Sequence, residues 1–249
     1  MRQHSHTALI ILAAGSGTRF RHMTPKQYLR LGHGPVFVHA TRPFFDACGK
    51  TLGHIVIASP EAFVARTRRE IKRYLPDSIP ISVIVGGRRR IDSIFKGIER
   101  VLQDTTIRTL LVHDAVRPLV HPDDIRGLVR AFVKGGWDAG VLGKPLAESL
   151  FEKRGKFVRG INRGKYCFGE TPFIYTRKVA EEMYKKWHAK TGALHDSLDL
   201  TELISRDGRH VTGSHEARHP NIKLTYPLDA FIIKKYAAKA KHSNSYRPL

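Results

Sequence analysis

The stretch Leu12–Gly32, LAAGSGTRFRHMTPKQYLRLG, decides how the chain is read. It continues an apolar run over 8–13 with the length and residue types of a buried strand, then breaks into glycines before any helical period begins. Gly15 and Gly17 let the backbone approach a ligand with no Cβ in the way and aim consecutive N–H groups at one anion. Arg19 and Lys26 add charge-assisted donors, one a planar fork and the other a mobile point charge. A phosphate-bearing guest at the carboxyl end of the first strand is what this combination supports. Two familiar glycine loops fail. GSGTRF lacks the third glycine of a dinucleotide loop, no acidic residue closes the second strand HIVIAS, and no Gly-Lys-Ser/Thr follows at the spacing of a Walker loop.

Beyond this stretch, strand-length apolar runs alternate with helical periods. The pattern predicts strands at 8–13, 54–58, 81–85, 108–113 and 138–142, with helices near 35–47, 61–74, 91–103 and 122–134 between them. This is the rhythm of an α/β, Rossmann-like three-layer fold with a mainly parallel twisted sheet. After Leu142 the rhythm breaks. ESLFEKRGKFVRGINRGKYCFGETP holds short alternating stretches bounded by turn signals, and predicts a protruding β-ribbon arm at about 147–172. Helical pattern returns at 177–189 and 198–206, followed by a short strand near 209–212 and a last helix at 227–240. The tail 241–249 is expected to be disordered. With no repeat and no low-complexity linker, residues 1–249 read as one domain.

The 249 residues, 41% of them hydrophobic, suffice for a large core. Lys and Arg number 43 against 22 Asp and Glu, a formal charge of +21 that favours an anionic partner. The basic residues are scattered, and their longest run is Arg88-Arg89-Arg90, which argues against a dedicated nucleic-acid surface. Cys48 and Cys167 stand far apart, suggesting neither a zinc site nor a disulfide framework, and a reducing, cytoplasmic setting fits them. The run Ala8–Ala14 reads as a strand rather than a signal peptide. No apolar run reaches membrane-spanning length. HEARH, His215–His219, matches the zinc-protease pattern, but Pro220 and the upstream Gly213-Ser214 deny it the helix that the pattern needs.

Other strand ends add to the first. TLLVHDAVRPL delivers Asp114 and Arg117 to the same edge of the sheet, where a carboxylate among phosphate-binding cations suits Mg²⁺ on a nucleotide. VGGRRRIDSIFKG brings Gly87, Arg90 and Ser93 to the start of a helix, and HPNIKLTYPLD brings Lys223 ahead of the last helix.

Taken in order and spacing, LAAGSGTRF…PKQYL, GGRRRIDS, VHDAVRP and NIKLTYPLD resemble the cytidylyltransferases that make CDP-activated methylerythritol and CDP-ribitol, over roughly Ala8 to Lys235. The resemblance implies CTP and a polyol phosphate as substrates, Mg²⁺ as cofactor, and a homodimer whose arm reaches the other subunit's site. It implies that Arg19 and Lys26 stabilise the transition state, and that Ala13, Ala14, Gly15, Gly17, Gly87, Arg90, Ser93 and Ala115 form the nucleotide pocket. It further implies that Asp114 holds the metal and touches substrate, and that Arg163 and Lys223 position the acceptor phosphate, with Ser149 beside them. The chain departs from the family pattern around the arm, reading PLAES at 145–149, Thr171-Pro172-Phe173 after the ribbon, and LDLTEL near Asp199. 2-C-methyl-D-erythritol 4-phosphate is the favoured acceptor, ribitol 5-phosphate or another polyol phosphate of surface-polymer synthesis the alternative. A non-catalytic nucleotide or RNA binder on the same fold is the rival of another class. Neither a membrane nor a nucleic acid is an expected partner.

Overall fold

The structure, a computed structural model, describes residues 6–15, 20, 24–189, 200–201, 204 and 208–240. Its frame is set by β1 (His6–Leu12), in which every residue after His6 is buried. Such a strand has two covered faces, and its side chains alternate between them. Ala8, Ile10 and Leu12 enter one apolar cluster, while Leu9 and Ile11 enter another on the opposite side. The two-residue pair β2 (Arg30–Leu31) and β3 (Gly34–Pro35) follows, then helices α1 (Val36–Thr41) and α2 (Pro43–Cys48). The single helix expected over 35–47 is thus two, because Pro43 has no N–H to continue the first and takes the N-terminal position of the second.

The alternation continues with β4 (Leu52–Ser59), α3 (Val64–Tyr74), β5 (Ile81–Val85), α4 (Arg90–Leu102), β6 (Ile107–Asp114), α5 (Pro122–Gly135) and β7 (Ala139–Pro145). The hairpin β8 (Leu150–Arg154) and β9 (Phe157–Ile161) stands apart from the main sheet, and turns at Gly155 with φ 63°. This ribbon is shorter than predicted. Residues 167–172, assigned above to the arm, begin β10 (Cys167–Thr176), which returns to the main sheet between β6 and β7 and is antiparallel to both. Then come α6 (Arg177–Ala189), β11 (Thr212–Glu216) and the last helix, Pro227–Ala240. The strand expected at 209–212 runs instead over β11, paired parallel with β7. Most of the helix expected over 198–206, and the tail 241–249, lie outside the described residues.

The seven strands are ordered β11-β7-β10-β6-β1-β4-β5. Leu110, Val112, Phe173 and Tyr175 pack on the α4 and α6 side, and Leu111 and Ile174 on the side of α1, α2 and α5. At Gly97 of α4 the helix lies so close to β1 that an added Cβ would sit 2.6 Å from Ile10 Cγ2. A third, smaller cluster of Leu31, Val36, Val116, Leu224 and Ile233 seats the last helix beside the end of β6. No helix among the described residues is long and apolar enough to cross a membrane.

His113 sits fully buried on β6, its ring 5.2 Å from that of Phe44 and its Nε2 3.1 Å from the Arg117 carbonyl oxygen. Burial pushes its pKa down to about 4, against the pull of the neighbouring Asp114 carboxylate. Between that value and 6.5 the unfolded chain takes up a proton that the folded chain refuses, so stability falls as pH drops through this window. Urea melts at pH 7 and 4.5 should show a loss of roughly 2–3 kcal/mol from this residue, largely absent in His113→Gln. Equal losses in the two proteins would rule out His113 as the acid-labile group.

Candidate active site

The carboxyl ends of β1, β5 and β6 surround a cavity of about 440 Å³ whose wall includes Gly15, Lys26, Arg90, Ser93, Asp114 and Lys223. Each arrives by a different element. Gly15 follows β1, and an added Cβ there would meet nothing within 4 Å, so the backbone faces open space. Lys26, buried, belongs to a single 3₁₀ turn, Lys26–Tyr28. Gln27 of the same turn is also buried, and its Nε2 donates to the carbonyls of Ala13 at 2.5 Å and Gly15 at 3.0 Å. With those carbonyls bound from behind, the loop is held against the turn that carries Lys26.

The Gly86-Gly87 pair is required by contact between loops. A Cβ on Gly86 would lie 2.2 Å from Ala14 Cβ, and one on Gly87 would lie 2.2 Å from Asp92 Cβ. Ser93 Oγ accepts from the Gly87 N–H at 3.0 Å, folding the loop over the N-terminus of α4. Asp92 closes that end, its Oδ2 accepting the Arg89 N–H at 3.1 Å and its carboxylate pairing with the Arg89 guanidinium. The first turn of α4 therefore presents its positive end to the cavity, where an anion is favoured.

Asp114 is the electrostatic centre. Its Oδ1 accepts from Arg90 Nε at 3.1 Å and meets Nη2 at 3.0 Å, while its Oδ2 lies 2.8 Å from Lys223 Nζ and 3.8 Å from Arg117 Nε. Burial alone would raise this carboxyl, but Arg90, Lys223 and Arg117 overcome it and hold it well below the usual carboxylate range. Arg117 also donates from Nη1 to the Asn221 carbonyl at 2.6 Å, and Asn221 Nδ2 donates to the Thr171 carbonyl at 2.7 Å. The Asp114 N–H in turn donates to Thr171 Oγ1 at 3.1 Å, so β6, β10 and the Lys223 segment are bonded together.

Mg²⁺ prefers several oxygen ligands. Among the described residues Asp114 is the one carboxylate in the cavity wall, and both its oxygens already meet cations. It is placed as a counter-ion, and the wall offers no preformed set of ligands for the metal expected there.

The predicted residues thus fall into groups. Ala14, Gly15, Lys26, Gly87, Arg90, Ser93, Asp114 and Lys223 line one cavity. Ala13 and Ala115 lie in the core beneath it, buried with Leu9, Ile11 and Leu111, so their side chains form its foundation and not its wall. Gly17 and Arg19 lie outside the described residues. Ser149 is exposed at the base of the arm and lines neither cavity. Arg163 lines a second cavity of about 290 Å³ with Tyr166, Cys167 and Glu216, its guanidinium against the Ala147 carbonyl. Gln27 and Asn221 were missed. PKQYL marks the first in the sequence, but no local pattern marks a side chain whose partners are two carbonyls or a strand of the far half.

A family model described as IspD, 2-C-methyl-D-erythritol 4-phosphate cytidylyltransferase, matches residues 7–238. The 2-C-methyl-D-erythritol 4-phosphate cytidylyltransferase of Chlamydia pneumoniae is 28% identical over 92% of this chain and 97% of its own length. That of Pelotomaculum thermopropionicum is 30% identical over 91% and 92%. The crystal structure of 4-diphosphocytidyl-2C-methyl-D-erythritol synthase from Anaerococcus prevotii superposes with a TM-score of 0.74 over 94% of this chain and 98% of that one, at 22% identity, and so shares the fold. With a seven-stranded sheet of the same architecture and a family match over nearly its whole length, the chain belongs to the IspD family and is a nucleotidyltransferase of the cytidylyltransferase class.

Proposed function

We propose that the chain joins CTP to 2-C-methyl-D-erythritol 4-phosphate, giving the CDP-polyol and pyrophosphate. The observation that carries this reading is the meeting of Lys26, Arg90, Asp114 and Lys223, from four separate segments, around one open cavity. An acceptor phosphate oxygen attacks the α-phosphorus of CTP, the bond to the β-phosphate oxygen breaks, and pyrophosphate leaves with the electron pair. The acceptor is already anionic near neutrality, so the protein needs no general base and works by positioning and by neutralising charge. The glycine loop and the α4 N-terminus are assigned to the triphosphate, Lys26 and Arg19 to the charge that develops on the transferring phosphorus, and Lys223 to the acceptor phosphate. Mg²⁺ bound with the triphosphate would supply further charge neutralisation, and no residue of the described wall is assigned to hold it.

We further propose a homodimer in which Arg163 serves the partner's cavity. Two features support it: Arg163 lies off the main cavity of its own chain, and the ribbon carries exposed Phe151, Phe157 and Val158. The free cysteines Cys48 and Cys167 suit a reducing compartment, and the cytoplasm is the proposed location.

Pyrophosphate release from CTP in the presence of Mg²⁺ and a panel of polyol phosphates tests the reading directly. 2-C-methyl-D-erythritol 4-phosphate should give the highest kcat/KM, and release with ribitol 5-phosphate alone would move the chain to the other acceptor. Lys26→Ala and Arg19→Ala should each lower kcat about 10²- to 10³-fold, and near-normal turnover in either removes that residue from the mechanism. Arg163→Ala should raise the acceptor KM while calorimetry finds CTP binding little changed. Randomly assorted dimers of Arg163→Ala with Lys26→Ala chains should recover about a quarter of the wild-type sites if Arg163 acts across the dimer. No recovery would place its action within one chain.

A further inference from the structure

HEARH is not part of the nucleotide cavity, and its two histidines go separate ways. His215 lies on β11 with its ring against Gly127 of α5, where an added Cβ would come 2.1 Å from Nε2. His219 lies in the turn beyond the strand and reaches His121, the residue that caps α5. Their rings stack with centroids 3.7 Å apart and planes 15° apart.

A carboxylate stands on each side of this pair. Asp123 Oδ2 is 3.5 Å from His121 Nδ1, while its Oδ1 is held by Arg126 Nη2 at 2.5 Å. Asp124 is 3% exposed, and its Oδ1 lies 3.1 Å from His219 Nδ1. The same carboxylate accepts the backbone N–H groups of Arg218 and His219, each at 3.1 Å, which fixes the turn. One ligand atom from each of His121, Asp123 and His219 lies within 4.8 Å of the others, and none of the three residues lines the nucleotide cavity.

We infer that His121, Asp123 and His219 form a binding site for one divalent transition-metal ion of the zinc class, separate from the site of nucleotidyl transfer. Two imidazoles and a single carboxylate select zinc, cobalt or nickel over magnesium or calcium, which take oxygen ligands. Tetrahedral zinc with bonds near 2.0–2.2 Å has ligand atoms about 3.4 Å apart, close to the His121 Nδ1 to Asp123 Oδ2 distance of 3.5 Å. Asp124 stands where the outer partner of a metal-binding histidine stands, 3.1 Å from His219 Nδ1, although the present ring orientation makes no hydrogen bond there.

Binding has two local costs. His121 Nδ1 now accepts the Asp123 N–H at 3.2 Å, a helix-end bond that water replaces. The parallel rings must also splay, because their in-plane lone pairs run side by side, and the His219 side chain, 37% exposed, has room to tilt. With three protein ligands and a water, the ion would tie the turn after β11 to α5, four residues ahead of Lys223.

The test uses the full-length protein, stripped by chelator and titrated with Co²⁺ followed by visible absorption, with Zn²⁺ as competitor. One Co²⁺ per chain with the intense bands of a four-coordinate ion is expected, displaced by Zn²⁺, and Zn²⁺ should raise the melting temperature. His121→Ala and His219→Ala should each weaken binding at least tenfold, while His33→Ala, at an exposed histidine, leaves it unchanged. His121 caps a helix, so ring-nitrogen NMR of the wild-type protein provides a second readout independent of variant folding. Zinc must move the His121 and His219 signals and leave those of His33 in place. No tetrahedral Co²⁺ spectrum, undiminished binding in the variants, or ring shifts confined to other histidines would overturn the assignment.

Discussion

A single buried carboxylate sets the terms for the site. Asp114 has been taken out of water at the end of a central strand, a position that is tenable for a charge only among partners, and three cations from three places supply them. Arg90 comes from the first turn of α4, Arg117 from the turn after β6, and Lys223 from the segment before the last helix. Without Asp114 these cations would repel one another across the mouth of the cavity. The carboxylate therefore assembles a positive surface that could not assemble itself. Arg90 and Lys223 keep about a third of their side-chain surface exposed, whereas Arg117 is nearly covered. An entering polyanion can draw on the first two while the third continues to hold Asp114.

Three consecutive residues show how the floor of the cavity is fixed. Lys26 faces the cavity, Gln27 binds two carbonyls of the first loop, and Tyr28 anchors the whole turn from below. The Tyr28 hydroxyl lies 2.8 Å from both Ser59 Oγ at the end of β4 and Thr67 Oγ1 on α3, and its ring stacks on Phe63 at 4.7 Å. A 3₁₀ turn has poor hydrogen-bond geometry of its own and takes its rigidity from such contacts. The lysine is thereby carried by a buried tyrosine and a buried glutamine, and each of the three side chains does a different job.

Much of this was legible in the sequence because the signals were local. β1, β4 and β6 read as apolar runs because both of their faces are covered, β5 reads as one although it is a half-buried edge strand, and the glycine loops announced themselves by composition. What was not legible depended on pairing at a distance. Glycines and short alternations placed 167–172 in the arm, yet this segment is the start of β10, the antiparallel strand wedged between β6 and β7. No residue of β10 says which neighbours it will have. The GG pair was legible as a site element, but the contacts that require it, Ala14 for Gly86 and Asp92 for Gly87, were not. Arg117 stood out by its place after the strand, whereas its partner Asn221 could be found only once the chain had folded.

The segment carrying Lys223 shows why positions far from any phosphate matter to the chemistry. It has no regular structure between β11 and the last helix, so nothing periodic fixes it. Three long-range anchors do so instead: Asp124 binds the N–H groups of Arg218 and His219, Arg117 binds the Asn221 carbonyl, and the Leu224 N–H donates to the Val116 carbonyl at 2.8 Å. Leu224 is further held by the small apolar cluster beneath the last helix. Lys223 sits between the second and third anchors, and its reach to Asp114 is set by both. A change at Asp124, which does not line the cavity, would therefore be felt at the lysine without touching a substrate, because effective positioning is lost when a group is displaced by as little as about 1 Å. The Lys223 side of the cavity is thus built on α5 and on the turn after β6, and its precision depends on the packing of these elements as much as on the residues that line the cavity.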